Sequence, residues 1–472
     1  MMTSPEQTYI KQETFRDSVS TIDEKGKRVW IYPKKTKGAY TFARTVIAYL
    51  LLGFFFSAPF IKIKGHPLIL LNVPERKFVL FGTIFWPQDF HIFFLAMITF
   101  MVFVVLFTVV YGRVFCGWVC PQTVFMEMLF RKIEYFIEGD RNAQIALNKQ
   151  PWTASKIRKK ILKHILFITL SFIIISVFLS YIIGADSLYK EITSPTEKSI
   201  YFLPAFILFS LIFYFIYARF REQVCTVACP YGRLQGVLLD RNSVVVAYDY
   251  KRGEPRGKFY KREDRKSLGK GDCIDCKACV HACPTGIDIR NGLQMECIHC
   301  TACIDACNEI MHKISLSKGL IRYSSENNIA TGTPFRITTR IAFYSAVLLI
   351  LITTLTSLIV SRTDTETTIL RTPGLLYQQT ADGRVSNLYN VKVINKTNQN
   401  MSVCLRLLDQ SGEIKMVGKE PLTVPAAGNA ESAFFVVMDK KNLSKVKTKI
   451  QIGVYRENEK IETVHTIFMA PN

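Results

Sequence analysis

Apolar residues run almost unbroken through five stretches, roughly Ala43–Ile61, Ile92–Tyr111, Ile165–Ile183, Tyr201–Ala218 and Ile341–Val360. Each approaches the ~20 residues a helix needs to cross a bilayer. The fourth is the shortest and contains Pro204. Charged flanks on all five favour spans over buried soluble helices. After Val360 the pattern changes. Leu388–Ile394, Met401–Leu408, Ala433–Val437 and Lys449–Tyr455 alternate or concentrate β-formers, punctuated at Asn395–Asn400 and Pro425–Gly428. Seven or so short strands predict a β-sandwich of immunoglobulin type over this tail.

Charge orients the spans. The chain has 472 residues and a net charge of +22, yet 49% of it is hydrophobic. A basic nucleic-acid binder is seldom so apolar, and a membrane protein with its cations on one side has this profile. The first forty residues carry eight Lys/Arg and no signal-peptide core. Gly112–Lys160 carries nine and Arg219–Arg340 twenty, against three in Ile63–Asp89 and two in Gly184–Ile200. With alternating spans all the rich segments share one side. The expectation is a multi-pass inner (cytoplasmic) membrane protein with its N-terminus inside and its tail, which is periplasmic, outside.

Thirteen cysteines then supply the chemistry. Cys273-x2-Cys276-x2-Cys279-x3-Cys283-Pro284 is repeated as Cys297-x2-Cys300-x2-Cys303-x3-Cys307. This doubled spacing is the two-cluster bacterial ferredoxin pattern, in which the fourth cysteine of each run ligates the other [4Fe–4S] cluster. One cluster is therefore assigned to Cys273, Cys276, Cys279 and Cys307, the other to Cys297, Cys300, Cys303 and Cys283. Structural zinc, the competing reading, needs neither the third cysteine nor the repeat. Asn308 stands where the first run has Pro284, which removes no ligand.

Two further pairs, Cys116-x3-Cys120-Pro121 and Cys225-x3-Cys229-Pro230, follow the second and fourth spans, each preceded by an arginine (Arg113, Arg221). They read as a weak internal repeat. Their spacing predicts two thiols one turn apart on a helix face, and each proline suits a first helical position. Four such thiols suit Cu(I), another iron–sulfur cluster or zinc, or act as redox dithiols; the plain alternative is small buried cysteines in tight turns. After Pro121, Phe125, Leu129, Ile133 and Phe136 oppose Glu127, Arg131 and Glu134, which predicts an interfacial amphipathic helix.

The remaining features carry less. His281 and His299 fall inside cysteine runs already complete without them, and His164 beside Lys156–Lys163 reads as part of a basic anchor. His66 and His91 read as packing near span ends. Lone Cys404 reads as a small buried apolar residue. The basic run Tyr250–Lys270 is expected to be a lipid-facing or solvated linker, with no nucleic-acid partner. The domain plan is an N-terminal segment 1–40, a four-span domain 41–240, a cytoplasmic 2[4Fe–4S] ferredoxin-like domain 241–335, a fifth span 339–361 and the sandwich 362–472.

These residues together resemble the CcoG/FixG/RdxA membrane proteins, polyferredoxin-like accessories of cbb3-type cytochrome c oxidase assembly. The resemblance is carried by Pro74–Gly82, Trp86–Phe90, Gly112–Thr123, Ile137–Arg141, Cys225–Gln235, Arg252–Gly257, the doubled cysteine motif, Gly319–Tyr323 and Ala381–Lys396. It implies a metal reductase turning Cu(II) into Cu(I), with Cys116, Cys120, Cys225 and Cys229 as the copper-binding and reacting thiols. Implied partners are the bilayer, a cytoplasmic electron donor, and oxidase assembly factors or a copper transporter. A competing expectation is a NapH-like electron-transfer subunit exchanging electrons with quinone, although no C-x-x-C-H haem motif or nucleotide-binding glycine motif accompanies it. A third is an assembly scaffold whose clusters are structural.

Overall fold

The structure, a computed structural model, describes residues 21–472 apart from 23–24, 26, 64, 74–76, 86–88, 195–198, 261–262, 266, 334–336, 375–376, 381, 398, 409–411, 419, 427, 441–445 and 472. The motif stretches at 74–76 and 86–88 thus lie outside the described residues. The chain forms two compact units, Met1–Ser57 with Leu95–Ser180 and Ala185–Thr353, and Ala58–Phe94 with Tyr181–Gly184 and Thr354–Asn472.

Among the described residues five helices are long and apolar enough to cross a membrane: Ala39–Ser57, Phe90–Tyr111, Ala154–Ile183, Ile200–Phe220 and Thr339–Val360. The third begins at Ala154, well before the expected Ile165. The basic run Lys156–Lys163 contains no helix breaker, and the Thr153 hydroxyl accepts the Lys156 N–H at 3.3 Å, so the helix starts at that cap. Lys156 Nζ donates to the carbonyls of Asn148 (3.0 Å) and Gln150 (2.5 Å), while Lys163 meets Glu138 at 2.9 Å. His164 is a tertiary contact rather than an anchor, its Nδ1 lying 2.9 Å from the Tyr214 hydroxyl.

The cysteine-rich lobe of the first unit is built on two short helices, Ala278–Ala282 and Ala302–Lys313, and a ribbon pairing Val245–Tyr248 with Ile321–Ser324. The repeat is visible in the backbone. Asp275 and Lys277 have positive φ, and so do His299 and Thr301 at the matching places of the second run. Val246, Ile287, Ile289, Ile304, Met311 and Leu320 pack the interior against four of the cysteines.

The segment after Pro121 continues through helical stretches Pro121–Phe125, Met126–Phe130 and Arg131–Ile137. Its polar side is not turned to water as expected. Arg131 and Glu134 are 1% and 3% exposed, whereas Phe136 is 87% exposed. Opposite charges from other segments explain the inversion. Glu134 receives Arg221 through both guanidinium nitrogens, at 2.6 and 2.9 Å. Glu222 meets Arg28 at 3.0 Å, and Trp30 lies under the guanidinium groups of Arg28 (4.4 Å) and Arg221 (4.9 Å). Buried charge survives only when paired.

In the second unit two antiparallel sheets form the sandwich. One runs Gly412–Val417, Asn429–Met438, Val385–Asn395, Thr365–Arg371, with Gln378–Gln379 also on Val385–Asn395. The other runs Leu422–Val424, Met401–Leu407, Lys447–Arg456, Glu459–Met469. Tyr389 faces Phe434 across two strands, their rings stacked at 5.5 Å, and its hydroxyl donates to the Ile467 carbonyl at 2.8 Å. Cys404 is half-buried, not buried, because strand alternation puts it on the face of exposed Ser402 and Arg406.

A small sheet (Ile69–Asn72, Lys77–Leu80, Thr83–Phe85) belongs to the same unit. Asp89 just beyond it takes Arg362 Nη2 on Oδ2 and Lys396 Nζ on Oδ1, each at 2.7 Å. Arg362 also donates to the Ile84 carbonyl. Burial alone would raise the Asp89 pKa, but the hydrogen bonds from Arg362 and Lys396 outweigh it and hold the carboxyl below its ordinary value. The sign follows: a depressed folded pKa stabilises above the unfolded pKa of about 4 and the benefit fades as pH falls through the folded value. Asp89→Asn should therefore cost about 3 kcal/mol at pH 7 by taking the carboxylate from buried Arg362 and leaving Lys396 only Glu366 at 3.0 Å. Calorimetric unfolding of the second unit should show this loss at neutral pH, with the gap to wild type closing below pH 4.

Candidate redox site

Both C-x3-C-P motifs fold alike. Cys116 N–H bonds to the Arg113 carbonyl (3.0 Å) and Cys120 N–H to Phe115 (2.9 Å); Cys225 bonds to Glu222 (3.1 Å) and Cys229 to Val224 (2.8 Å). These are the same relative positions. Cys116 lies on the short helix Val114–Trp118 and Cys225 on the turn Val224–Ala228. Cys120 and Cys229 do not continue those turns, contrary to the expected shared helix face. Each takes an extended ψ (125° and 112°) ahead of its proline, which opens the next helix.

The four thiols gather into one region. Cys225 is within electrostatic reach of Cys120, Cys116 and Cys229. Burial pushes both Cys116 and Cys225 up to about 12, and their neighbouring thiols add to it. Burial also raises Cys120, against the opposing N–H groups of Gln122 and Thr123 at the helix start. Cys116 Sγ donates to Gln235 Oε1 at 3.1 Å. Gln235 is completely buried, and its Nε2 has no hydrogen-bond partner. Sequence spacing pointed only at cysteines; an amide six residues past Cys229 gives no such signal.

The cysteine-rich lobe packs directly on this region. Cys116 and Cys225 share a buried cluster with Ile298, Cys300, Ala282 and Ala302. A Cβ on Gly117 would stand 2.4 Å from the Ile298 carbonyl oxygen and 2.9 Å from Cys300 N, so only glycine permits this approach. Arg113 is 4% exposed. Its guanidinium donates to the carbonyls of Met295 and Gly232, tying the second cysteine run to the helix of the second motif. Its backbone N–H donates to His299 Nδ1 at 2.9 Å, and Trp118 Nε1 donates to the His299 carbonyl at 3.3 Å. His299, set aside in the sequence reading, is thus the staple of the joint. Burial and the nearby Arg113 cation lower its pKa to about 3 and keep it neutral.

Within the lobe Cys307 lies with Cys276 and Cys273, and Cys279 with Cys307 and Cys276. Cys283 lies with Cys300, and Cys297 with Cys283 and Cys300. Cys303 reaches Cys300, Cys297 and Cys283, and also Cys279 of the other set. A small, nearly apolar cavity bordered by Cys283, Cys297, Cys300 and Cys303 is walled by Ile287, Ile289 and Ile298. Among the described residues no three His, Cys, Asp or Glu converge on a single metal ion, at either cysteine region. A cubane holds its thiolates apart at four corners, so adjacent but non-converging thiols in a dry cavity fit a cluster. When bound, such clusters supply one-electron transfer.

Comparison with known proteins agrees with this reading of the lobe. Residues 220–326 match a family model described as a 4Fe-4S dicluster domain, and residues 93–141 one described as a 4Fe-4S binding domain. Residues 355–471 match an IG-like fold at the C-terminal of FixG, putative oxidoreductase. Protein RdxA of Cereibacter sphaeroides is 36% identical over 423 residues, covering 85% of this chain and 87% of that protein. Protein RdxB of the same organism is 34% identical over 436 residues, covering 88% and 90%. The nitrogen fixation protein FixG of Rhizobium meliloti is 35% identical over 311 residues, covering 64% and 59%. A crystal structure of a FixG-related protein from Vibrio parahaemolyticus matches 23% of this chain and 97% of its own, at 23% identity and a TM-score of 0.20.

Two outcomes check the geometry. Gly117→Ala should displace the Cys297–Cys300 loop, broadening one of two cluster EPR signals while the other persists. Cys307→Ser should perturb the signal that Cys276→Ser perturbs, and Cys283→Ser the signal that Cys300→Ser perturbs; an uncrossed pairing would reverse these partners.

Proposed function

The chain belongs to the FixG/RdxA family of iron–sulfur proteins, and from that premise we propose that it is a membrane electron-transfer protein that reduces cupric to cuprous ion in support of cbb3-type oxidase assembly. Cys273, Cys276, Cys279 and Cys307 hold one [4Fe–4S] cluster, and Cys297, Cys300, Cys303 and Cys283 the other. Copper is the substrate, taken by the thiols at Cys116, Cys120, Cys225 and Cys229. The cysteine-rich lobe and N-terminus face the cytoplasm and the sandwich faces the periplasm, as the Lys/Arg distribution supports.

The observation that carries the reading is the packing of Cys116 and Cys225 against the buried cluster of Ala282, Ile298, Cys300 and Ala302. It sets the soft ligands of one region beside a cluster ligand of the other. Thiolates favour Cu(I) over Cu(II). These thiols hold the copper only until it is reduced, which suits a substrate that must leave. Arg113 orients both loops and places a cation near Cys116, Cys297 and Cys229. The stoichiometry is one electron per Cu(II).

The test uses detergent-purified, anaerobic protein reduced with dithionite and freed of excess reductant. Adding Cu(II) should oxidise the reduced-cluster EPR signal as Cu(I) forms in equal amount. Cys116→Ser/Cys225→Ser should lose this reaction while keeping about eight irons. If copper neither binds nor oxidises the clusters, and a quinone analogue does, the reading passes to quinone-linked electron transfer.

A further inference from the structure

Of the thirteen cysteines, Cys276 alone is exposed. It lies between Asp275 and Lys277, both with positive φ (51° and 57°). Cys116 and Cys225 pack instead against the cluster that includes Cys300 of the other set.

The basic run Tyr250–Lys270 is not the loose linker its sequence suggests. It is laced to this same loop. Gly257 N–H donates to the Cys273 carbonyl at 3.1 Å, and Cys273 N–H to Gly253 at 3.3 Å. The buried Arg265 guanidinium donates to the carbonyls of Cys273 (3.1 Å) and Gly271 (2.6 Å). Arg252 Nε bonds Asp272 at 2.5 Å. The arm is therefore a fixed rim beside Cys276.

That rim is cationic. Among its described residues between Tyr250 and Cys279, seven Lys/Arg stand against five Asp/Glu. Several carboxylates are already engaged: Asp272 by Arg252, Asp275 by Arg290 and Glu263 by Lys270. Lys258 and Lys277 are exposed, as is Arg256, which pairs with Glu254 at 3.3 Å, and Tyr260 is 62% exposed. Lys277 lies near Lys34 and Arg141 around His281, which extends the field.

We infer that the exposed Cys276 loop and its basic rim are the docking surface for a soluble, acidic one-electron carrier protein, the entry point for electrons. The inference rests on the electron-transfer reading above. Charge complementarity argues for the partner: an acidic protein is steered onto a cationic rim and brought over an exposed cluster ligand. An anionic lipid surface matches the charge as well, but has no use for a cluster ligand at the centre. One electron leaves the reduced carrier and one enters the protein, with no bond made or broken.

The experiment uses the full chain in detergent and a purified acidic flavodoxin as probe. Flavodoxin should bind with a Kd that weakens about tenfold or more between 20 and 200 mM salt. Arg256→Glu/Lys258→Glu/Lys277→Glu should weaken binding at least tenfold at low salt and flatten the salt dependence. Iron content and cluster EPR should be unchanged, and Lys415→Glu in the sandwich should bind as wild type. Equal binding by the triple variant overturns the inference. So does loss of binding to phosphatidylglycerol vesicles with flavodoxin binding intact, which would make the rim a lipid contact. Dithionite-reduced protein needs no carrier, so copper reduction can stand or fail independently of this result.

Discussion

Everything at the redox site depends on one close approach, that of the Gly112–Gly117 turn to the Ile298–Cys300 loop. Two glycines leave no side chain in the way, since a Cβ at Gly112 would strike His299 and one at Gly117 the Ile298 carbonyl. Arg113, between them, is shared among three segments by hydrogen bonds to Met295, Gly232 and His299. The joint therefore excludes water by backbone fit and fixes its orientation by charge-assisted hydrogen bonds. The thiols of the C-x3-C-P motifs on one side and the second run of the doubled cysteine motif on the other are held in register by these groups.

Such a joint needs rigid support, and the surroundings supply it at some cost. Arg131, Glu134, Arg221 and Glu222 are all nearly inaccessible. Removing charges from water is expensive, and pairing recovers much of the loss only with good geometry. Glu134 has that geometry with Arg221; burial opposes its ionisation, but Arg221 and Lys163 hold its pKa below the ordinary carboxylate range. Arg221 immediately precedes the second motif, and Glu134 belongs to the helix launched by the first. The ion pair locks the two halves of the thiol region together. The sandwich repeats the principle on a smaller scale, with Asp89 gripped by Arg362 and Lys396.

These buried ions explain the main divergences from the sequence reading. Glu127, Arg131 and Glu134 at helical spacing have the pattern of a solvated face, and pattern alone cannot tell water from a countercharge such as Arg221, 87 residues further along the chain. The basic run before the third span likewise looks like an anchor in the headgroup region, yet Lys163 finds Glu138. The run Tyr250–Lys270 looks like a tether, yet its arginine at 265 is spent on backbone carbonyls of the cysteine loop. In each case a partner fixed by the fold, near or far along the chain, overrides what the local composition predicts.

What the sequence by itself determined was periodic or spaced: five apolar helices, the alternating strands of the tail, the doubled cysteine motif and the repeated C-x3-C-P pairs. These are local because hydrophobic period and ligand spacing act within a few residues. Tertiary structure alone decided that Cys116 and Cys225 pack against the cluster around Cys300, that Cys120 and Cys229 leave the helical turn, and that His299, Gln235 and Arg113 belong to the site. It also decided that Cys276 is the cysteine of the doubled motif left at the surface. Such facts depend on which distant segments come into contact, and that is settled by the shape left at two glycines and by buried charges that must find partners.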